Sequence, residues 1–308
     1  MRHKGEFARF FKRDWQLHLF ILLPIIYLII FAYYPMFGLQ IAFKNFQAGL
    51  GIIGSPWVGL RHFRTFFNSY QFVRVVKNTF LISIYHLAVG FPLAIILALL
   101  INVVKKQRFK KFVQTVTYVP HFFSVVVVVG ILNRIFSPVN GAYGYIARVF
   151  FGTYPEVLLG RAETFRHFYV WSGIWQELGW NTIIYIAALS TVNPELYEAA
   201  EIDGASRFKC LLHIDLPAIL PTAAILLILD SGYIMNVGFE KTFLMQTSLN
   251  LETSEIISTY LYKVGLLSGA NFSYATAIGL FNSVINCIIL FIVNKTANKL
   301  SDGEYGLF

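Results

Sequence analysis

Charge is scarce in this sequence. Asp, Glu, Lys and Arg supply only 13% of its 308 residues, whereas a soluble domain carries about 25%. That deficit excludes an ordinary water-solvated surface. Cysteine is scarcer still: Cys210 and Cys287 are the only two, one in a charged segment and one in an apolar run, which excludes a disulfide framework and a cysteine metal site. The sequence also has no G-x-x-x-x-G-K-[ST] phosphate loop, so the chain does not hydrolyse ATP by that chemistry. The absence of a G-x-S-x-G elbow and an H-E-x-x-H pair argues against an intramembrane hydrolase. His86 and His121 have no carboxylate or cysteine beside them at ligand spacing. No catalytic residue, bound cofactor or metal is therefore expected in this chain.

What fills the sequence instead is apolar. Hydrophobic residues make up 56%, with 30 Phe and 17 Tyr, and aromatic rings favour the membrane boundary. Six stretches approach the roughly 20 residues that cross a bilayer: 17–38, 79–104, 112–134, 168–191, 217–236 and 271–294. The first follows a basic tail but is too long for a signal peptide and lacks a small-residue cleavage site. Lys and Arg bias sets orientation. Arg2, Lys4, Arg9, Lys12 and Arg13 precede the first stretch, and Lys105, Lys106, Arg108, Lys110 and Lys111 separate the second from the third. The expectation is an all-α integral membrane protein with six transmembrane helices and both termini cytoplasmic. Residues 1–16 form a cytoplasmic tail, 39–78 an extracytoplasmic loop, 79–294 a core with five spans, and 295–308 a second cytoplasmic tail. The net charge of +9 is read as a topology signal and a contact for anionic lipid, not for nucleic acid.

This topology makes 192–216 a cytoplasmic loop, and its local signals are dense. Asn193 suits an N-cap, Pro194 the first helical position and Glu195 the positive end of the helix dipole. Gly204 after Asp203 predicts a stop. Ser206 predicts a second cap, with a helix through about Ile214 that Pro217 ends as the fifth span starts. Leu196, Ala199 and Ala200 share one helical face. A capped surface hairpin and a docking element fit these residues equally.

Glu198-Ala199-Ala200, three residues, Gly204, nine residues and Ile214-x-Leu216-Pro217 resemble the EAA motif of binding-protein-dependent ABC importer permeases. Tyr33-Tyr34-Pro35-Met36-Phe37-Gly38, Ser55-Pro56-Trp57-Val58-Gly59-Leu60 and Phe272-Ser273-Tyr274-Ala275-Thr276-Ala277 resemble the carbohydrate branch, similar to maltose-type permeases and most like those for oligosaccharides. The resemblance covers nearly the whole chain. It implies a type I importer permease fold in a bacterial cytoplasmic membrane. It implies a heterodimer with a second permease, two ATP-binding subunits that carry ATP and Mg, and an extracytoplasmic solute-binding protein. By position it makes Glu198, Ala199, Ala200, Asp203, Gly204, Ile214, Leu216 and Pro217 the coupling contact with the ATPase.

Polar groups inside spans are costly and tend to face a cavity or another helix. Trp175, Glu177, Asn181 and Tyr185 in the fourth stretch, Asp230, Tyr233 and Asn236 in the fifth, and Asn282 in the sixth are the substrate-path candidates. Indole faces stack on sugar rings, and carboxylates and amides bond hydroxyls. The competing reading makes the tryptophans interfacial anchors and the asparagines helix–helix glue. Between Gly59 and Phe67, aromatic and basic residues alternate as in an interfacial helix, with contact to the binding protein as the functional alternative. An ion-coupled secondary transporter would show internal repeats and broken helices, and no repeat relates the two halves. A permease of the same superfamily for a non-sugar solute stays open, as does an anchor without transport.

Overall fold

The computed structural model describes residues 15–300, so the basic residues from Arg2 to Arg13 lie outside the described residues. The described chain is helical, with one isolated bridge between Lys44 and Trp57. In chain order the main helices are α1 (Trp15–Leu28), α2 (Arg61–Phe67), α3 (Tyr70–Val103), α4 (Gln107–Tyr118), α5 (Val125–Ile135) and α6 (Ala142–Phe151). They continue with α7 (Ala162–Leu189), α8 (Pro194–Ile202), α9 (Arg207–Gly232), α10 (Phe239–Met245), α11 (Leu251–Ser254), α12 (Ile257–Tyr262) and α13 (Phe272–Leu300).

Two compact units divide the chain. The smaller comprises the described residues up to Phe67 together with Val264–Leu280. Its α1 continues through a π turn and a 3-10 segment to Phe43, making 29 residues with no buried position in the apolar window. At the end of that helix, Phe43 stacks on Trp57 with centroids 5.6 Å apart. The Phe46 amide donates to Ser273 Oγ at 2.9 Å, and Phe66, fully buried, meets Tyr274 edge-on. The aromatic-rich stretch 59–67 is helical over α2, as its spacing suggests.

The larger unit holds Asn68–Lys263 and the described residues from Phe281. Two patches of its core stand out among the described residues. One gathers Ile82, Val129, Phe165, Tyr169, Val170, Ile174, Met245 and Ile256. The other joins Ala94, Ala98 and Leu99 of α3 to Tyr185 and Leu189 of α7 and Ile219 and Ala223 of α9. Without a water-driven force between spans, close backbone approach favours small side chains, and the alanines supply it. Gly179 does the same between α7 and α4, where a Cβ would collide with the Thr117 carbonyl.

Among the described residues, four helices are long and apolar enough to cross a membrane: Trp15–Phe43, Tyr70–Val103, Arg207–Gly232 and Phe272–Lys299. The stretch 112–134, expected as one straight span, is instead two helices meeting at 100°. Pro120 sits in a 3-10 turn at the break, and Ser124 restarts the helix by accepting from the Val127 amide. Taken together, that pair makes a fifth span by length and composition. The stretch 168–191 lies in α7, whose 28 residues reach about 42 Å at 1.5 Å each. Its Glu163, Arg166, Glu177 and Asn181 make it the most polar long helix, and it is not among the four.

Two expectations at the fifth stretch need correction. Pro217 does not end a helix: α9 runs unbroken from Arg207 to Gly232. A π turn over Leu211–Asp215 widens the backbone just before the proline, and such local adjustment takes up the bond that a ring nitrogen cannot make. The helix also stops at Gly232, so Tyr233 and Asn236 occupy the following turn and not a helical face shared with Asp230.

Candidate substrate path and coupling hairpin

The hairpin between α7 and α9 follows its local chemistry closely. Asn193 Oδ1 accepts from the Glu195 amide at 3.1 Å and its amide group donates to the Glu195 carboxylate at 3.0 Å. Pro194 opens α8 and Asp203 closes it. Gly204 has φ +70°, the left-handed conformation that costs glycine least. The Ala205 amide then reaches Ala200 O at 2.8 Å and the Gly204 amide reaches Glu201 O at 3.1 Å, which is the paired closure of a Schellman motif. Ser206 Oγ accepts from the Lys209 amide at 3.3 Å and starts α9.

Glu198, Ala199, Asp203 and Gly204 are exposed, and Ala200 is half-buried. Beside them Leu196, Ile202 and Phe208 lie open, Ile202 at 87%. Ile214 and Pro217 stand in the N-terminal part of α9, where Leu216, half-buried, packs against the alanine-lined core. The hairpin is tied down by Asp215, which is buried. Asp215 Oδ1 accepts from the Tyr197 hydroxyl of α8 and, at 3.2 Å, from Asn102 at the end of α3. Burial, and then the hydrogen bond to and charge of Asp215, push the Tyr197 phenol up to about 12.

Farther along the same bundle, α3, α7 and α9 enclose two adjoining hollows of about 310 and 530 Å3. His86, Leu87, Glu177, Asn181 and Asp230 line both. Tyr185 lines the smaller, and Tyr233, Asn236, Glu240 and Lys241 the larger. Six of the sequence candidates thus converge: Glu177, Asn181, Tyr185, Asp230, Tyr233 and Asn236. Two do not. Trp175 lines a separate apolar groove with Trp171, Val128 and Phe168. Asn282 Nδ2 donates to Asn236 Oδ1 at 2.8 Å. Asn286 joins this contact, accepting from the Met235 amide at 2.9 Å, so the asparagines of α13 hold the turn after α9 in place.

Glu177 is paired. His121 Nδ1 lies 2.7 Å from Glu177 Oε2, and the imidazole stacks on Trp180 at 4.1 Å. Gln176 Nε2 donates to Phe123 O at 2.8 Å. Neighbouring residues of α7 therefore pin the break between α4 and α5 from either side. No local spacing signals that His121 and Glu177 meet, since 56 residues separate them. His86 lines both hollows and Lys241 the larger one, and a lysine between the fifth and sixth stretches carries no spacing signal that would place it there.

The model of the binding-protein-dependent transport system inner membrane component matches residues 90–300. This chain belongs to that family. The permease match spans the hairpin and most of the cavity wall, while α1, α2 and His86 precede it. The polygalacturonan/rhamnogalacturonan transport system permease YteP of Bacillus subtilis is 44% identical over 95% of this chain and 90% of its own length. LplB of the same organism is 43% identical over 96% of this chain and 92% of its own. Among solved structures, a chain of a bacterial ABC transporter that imports the acidic polysaccharide alginate superposes with a TM-score of 0.87 at 41% identity, covering 96% of this permease and 99% of that chain. A second structure, of a bacterial alginate transporter with a pentasaccharide-bound periplasmic protein, gives a TM-score of 0.86 at 40% identity over 96% and 98%. The chain is a multi-pass permease component of an ABC import system, which settles the main reading against an ion-coupled carrier or a bare anchor.

Proposed function

We propose that this permease, with six spans and both termini in the cytoplasm, forms half of a sugar-conducting path and is driven through the hairpin 193–217. The sugar is an oligosaccharide of the kind released from the polysaccharides named for its relatives. The second half of the path is a related permease. Two separate ATP-binding subunits carry ATP and Mg and dock on α8. An extracytoplasmic solute-binding protein delivers the cargo. Glu198, Ala199, Ala200, Asp203 and Gly204 supply the docking face, and Ile214 and Pro217 sit at its root, where α9 begins. Glu177, Asn181, Tyr185, Asp230, Tyr233 and Asn236 supply hydroxyl-bonding and ring-stacking groups along the path.

One observation carries this reading: Leu196, Ile202 and Phe208 are open on a hairpin that is otherwise rigidly closed. Exposed apolar side chains on a capped, hydrogen-bonded element mark an interaction site. The tie through Tyr197 and Asp215 then passes motion of α8 to α3 and α9, and those helices wall the cavity.

The decisive test combines sidedness and capture. In sealed cells, a membrane-impermeant maleimide should spare Cys210 and label it only after permeabilisation. Ile202→Glu should reduce recovery of an ATP-binding subunit on the tagged permease at least about tenfold. Labelling of Cys210 from outside, or full recovery with Ile202→Glu, would remove the docking role.

A further inference from the structure

Lys241 is the one buried cation in the larger hollow. It is 7% exposed and sits in α10, which the sequence placed in a loop outside the core spans. Its Nζ donates to Tyr169 O at 2.9 Å and lies over the Tyr169 ring, 4.9 Å from the centroid. An ammonium has three donors, and that backbone carbonyl takes one of them. None of the ion pairs among the described residues includes it.

The charged groups around it do not complete its coordination. Glu177 acts on Lys241 only through space and is already bonded to His121. Asp230 and Glu240 line the same hollow but are exposed, so water can keep them solvated. Burying a charge is costly unless it is paired and hydrogen-bonded. The cation therefore stands where an incoming anion would relieve it. Glycine opens the way: at Gly173 a methyl would stand 3.2 Å from both Lys241 Nζ and His86 Cε1. With no side chain there, the ammonium and the imidazole edge face the hollow together.

We propose that Lys241, flanked by His86 across Gly173, is a carboxylate-recognition point that selects oligosaccharides bearing uronate groups. This inference rests on the oligosaccharide-import reading above and narrows it to an anionic cargo. The sugar carboxylate takes the free ammonium donors, and the tyrosine face and backbone carbonyl hold Lys241 in place from behind. Glu177, Asn181 and Asp230 remain for hydroxyls. A second subunit need not supply the charge.

The test uses the whole importer, purified with its partner subunits and reconstituted in proteoliposomes with ATP inside. Uptake of trigalacturonate and of its fully methyl-esterified counterpart is measured with each sugar saturating the binding protein. The readout is the ratio of acidic to neutral uptake, which cancels differences in assembly. Lys241→Gln should lower that ratio at least about tenfold, the loss expected for one charged hydrogen bond. Lys241→Arg should hold it within about threefold of the parent value. Gly173→Ala, which keeps the charge but fills the approach, should lower the ratio too. An unchanged ratio in Lys241→Gln overturns the proposal, as does a parent importer that prefers the neutral sugar, and oligosaccharide import then stands without it. A parent importer that moves neither sugar overturns the import reading itself, and this inference with it.

Discussion

The hairpin at 193–217 and the cavity walled by α3, α7 and α9, which the proposed function joins in one transport cycle, are built in opposite ways. The caps and the turn of the hairpin close through bonds that span a few residues: Asn193 to Glu195, Ala205 to Ala200, Ser206 to Lys209. The bonds that shape the cavity join distant parts of the chain, as in His121 with Glu177, Lys241 with Tyr169 and Asn286 with Met235. The contrast shows why one region carries a readable motif and the other does not. A capped turn is a property of its own residues, whereas a polar cavity between helices is a property of their packing.

The comparison breaks most sharply at Gly204. A φ of +70° is closed to proline, whose ring fixes φ near −65°. Gly204→Pro should therefore cut ATP-driven uptake to background. Because the change is confined to the hairpin, the amount of protein in the membrane should stay near the parent level on an immunoblot. Near-normal uptake would show that the hairpin is not the lever.

The next effect is on the packed region. Gly179→Leu forces α7 away from the Thr117 carbonyl of α4, and overpacking of this kind costs about 1–3 kcal/mol. A lowered unfolding midpoint in detergent is expected, together with slower uptake. An unchanged midpoint would mean that α4 can slide without cost, and that the pinned break matters less to the cavity than the hairpin does.

The smallest effect lies where the two regions join. Tyr197→Phe removes one of the two donors to the buried Asp215 carboxylate, a loss of roughly 1–2 kcal/mol. Amide hydrogen exchange across 194–203 should quicken. The phenol titrates near 12 in the closed hairpin and near 10 when released. Its raised value means that this fastening is fully present below pH 10 and is lost as pH rises through about 12. In the phenylalanine variant exchange should lose that alkaline step. An identical pH profile in both proteins would separate Tyr197 from the joint.

Much of the fold was legible. The long uncharged runs mark α1, α3, α9 and α13 because lipid admits only helices with satisfied backbones. The break at Pro120 was not seen, because hydropathy averages over a turn that one proline and one capping serine decide. Pro217 misled in the other direction: its ring signals a boundary, yet the π turn before it carries the helix through. Trp175 lines a separate apolar groove, and Asn282 spends its amide on Asn236.

Taken alone, the sequence determined that the chain lives in lipid, where its four long apolar helices lie, and how the hairpin caps and turns, since hydropathy and capping act within a few turns. Only the tertiary structure decided which polar side chains share a cavity, that His121 bonds Glu177, and that Lys241 is buried with no carboxylate in direct contact. Those facts depend on helix rotation and on contacts separated by tens of residues. Such contacts are set by packing of small side chains such as Gly179 and Ala98, and no local pattern records them.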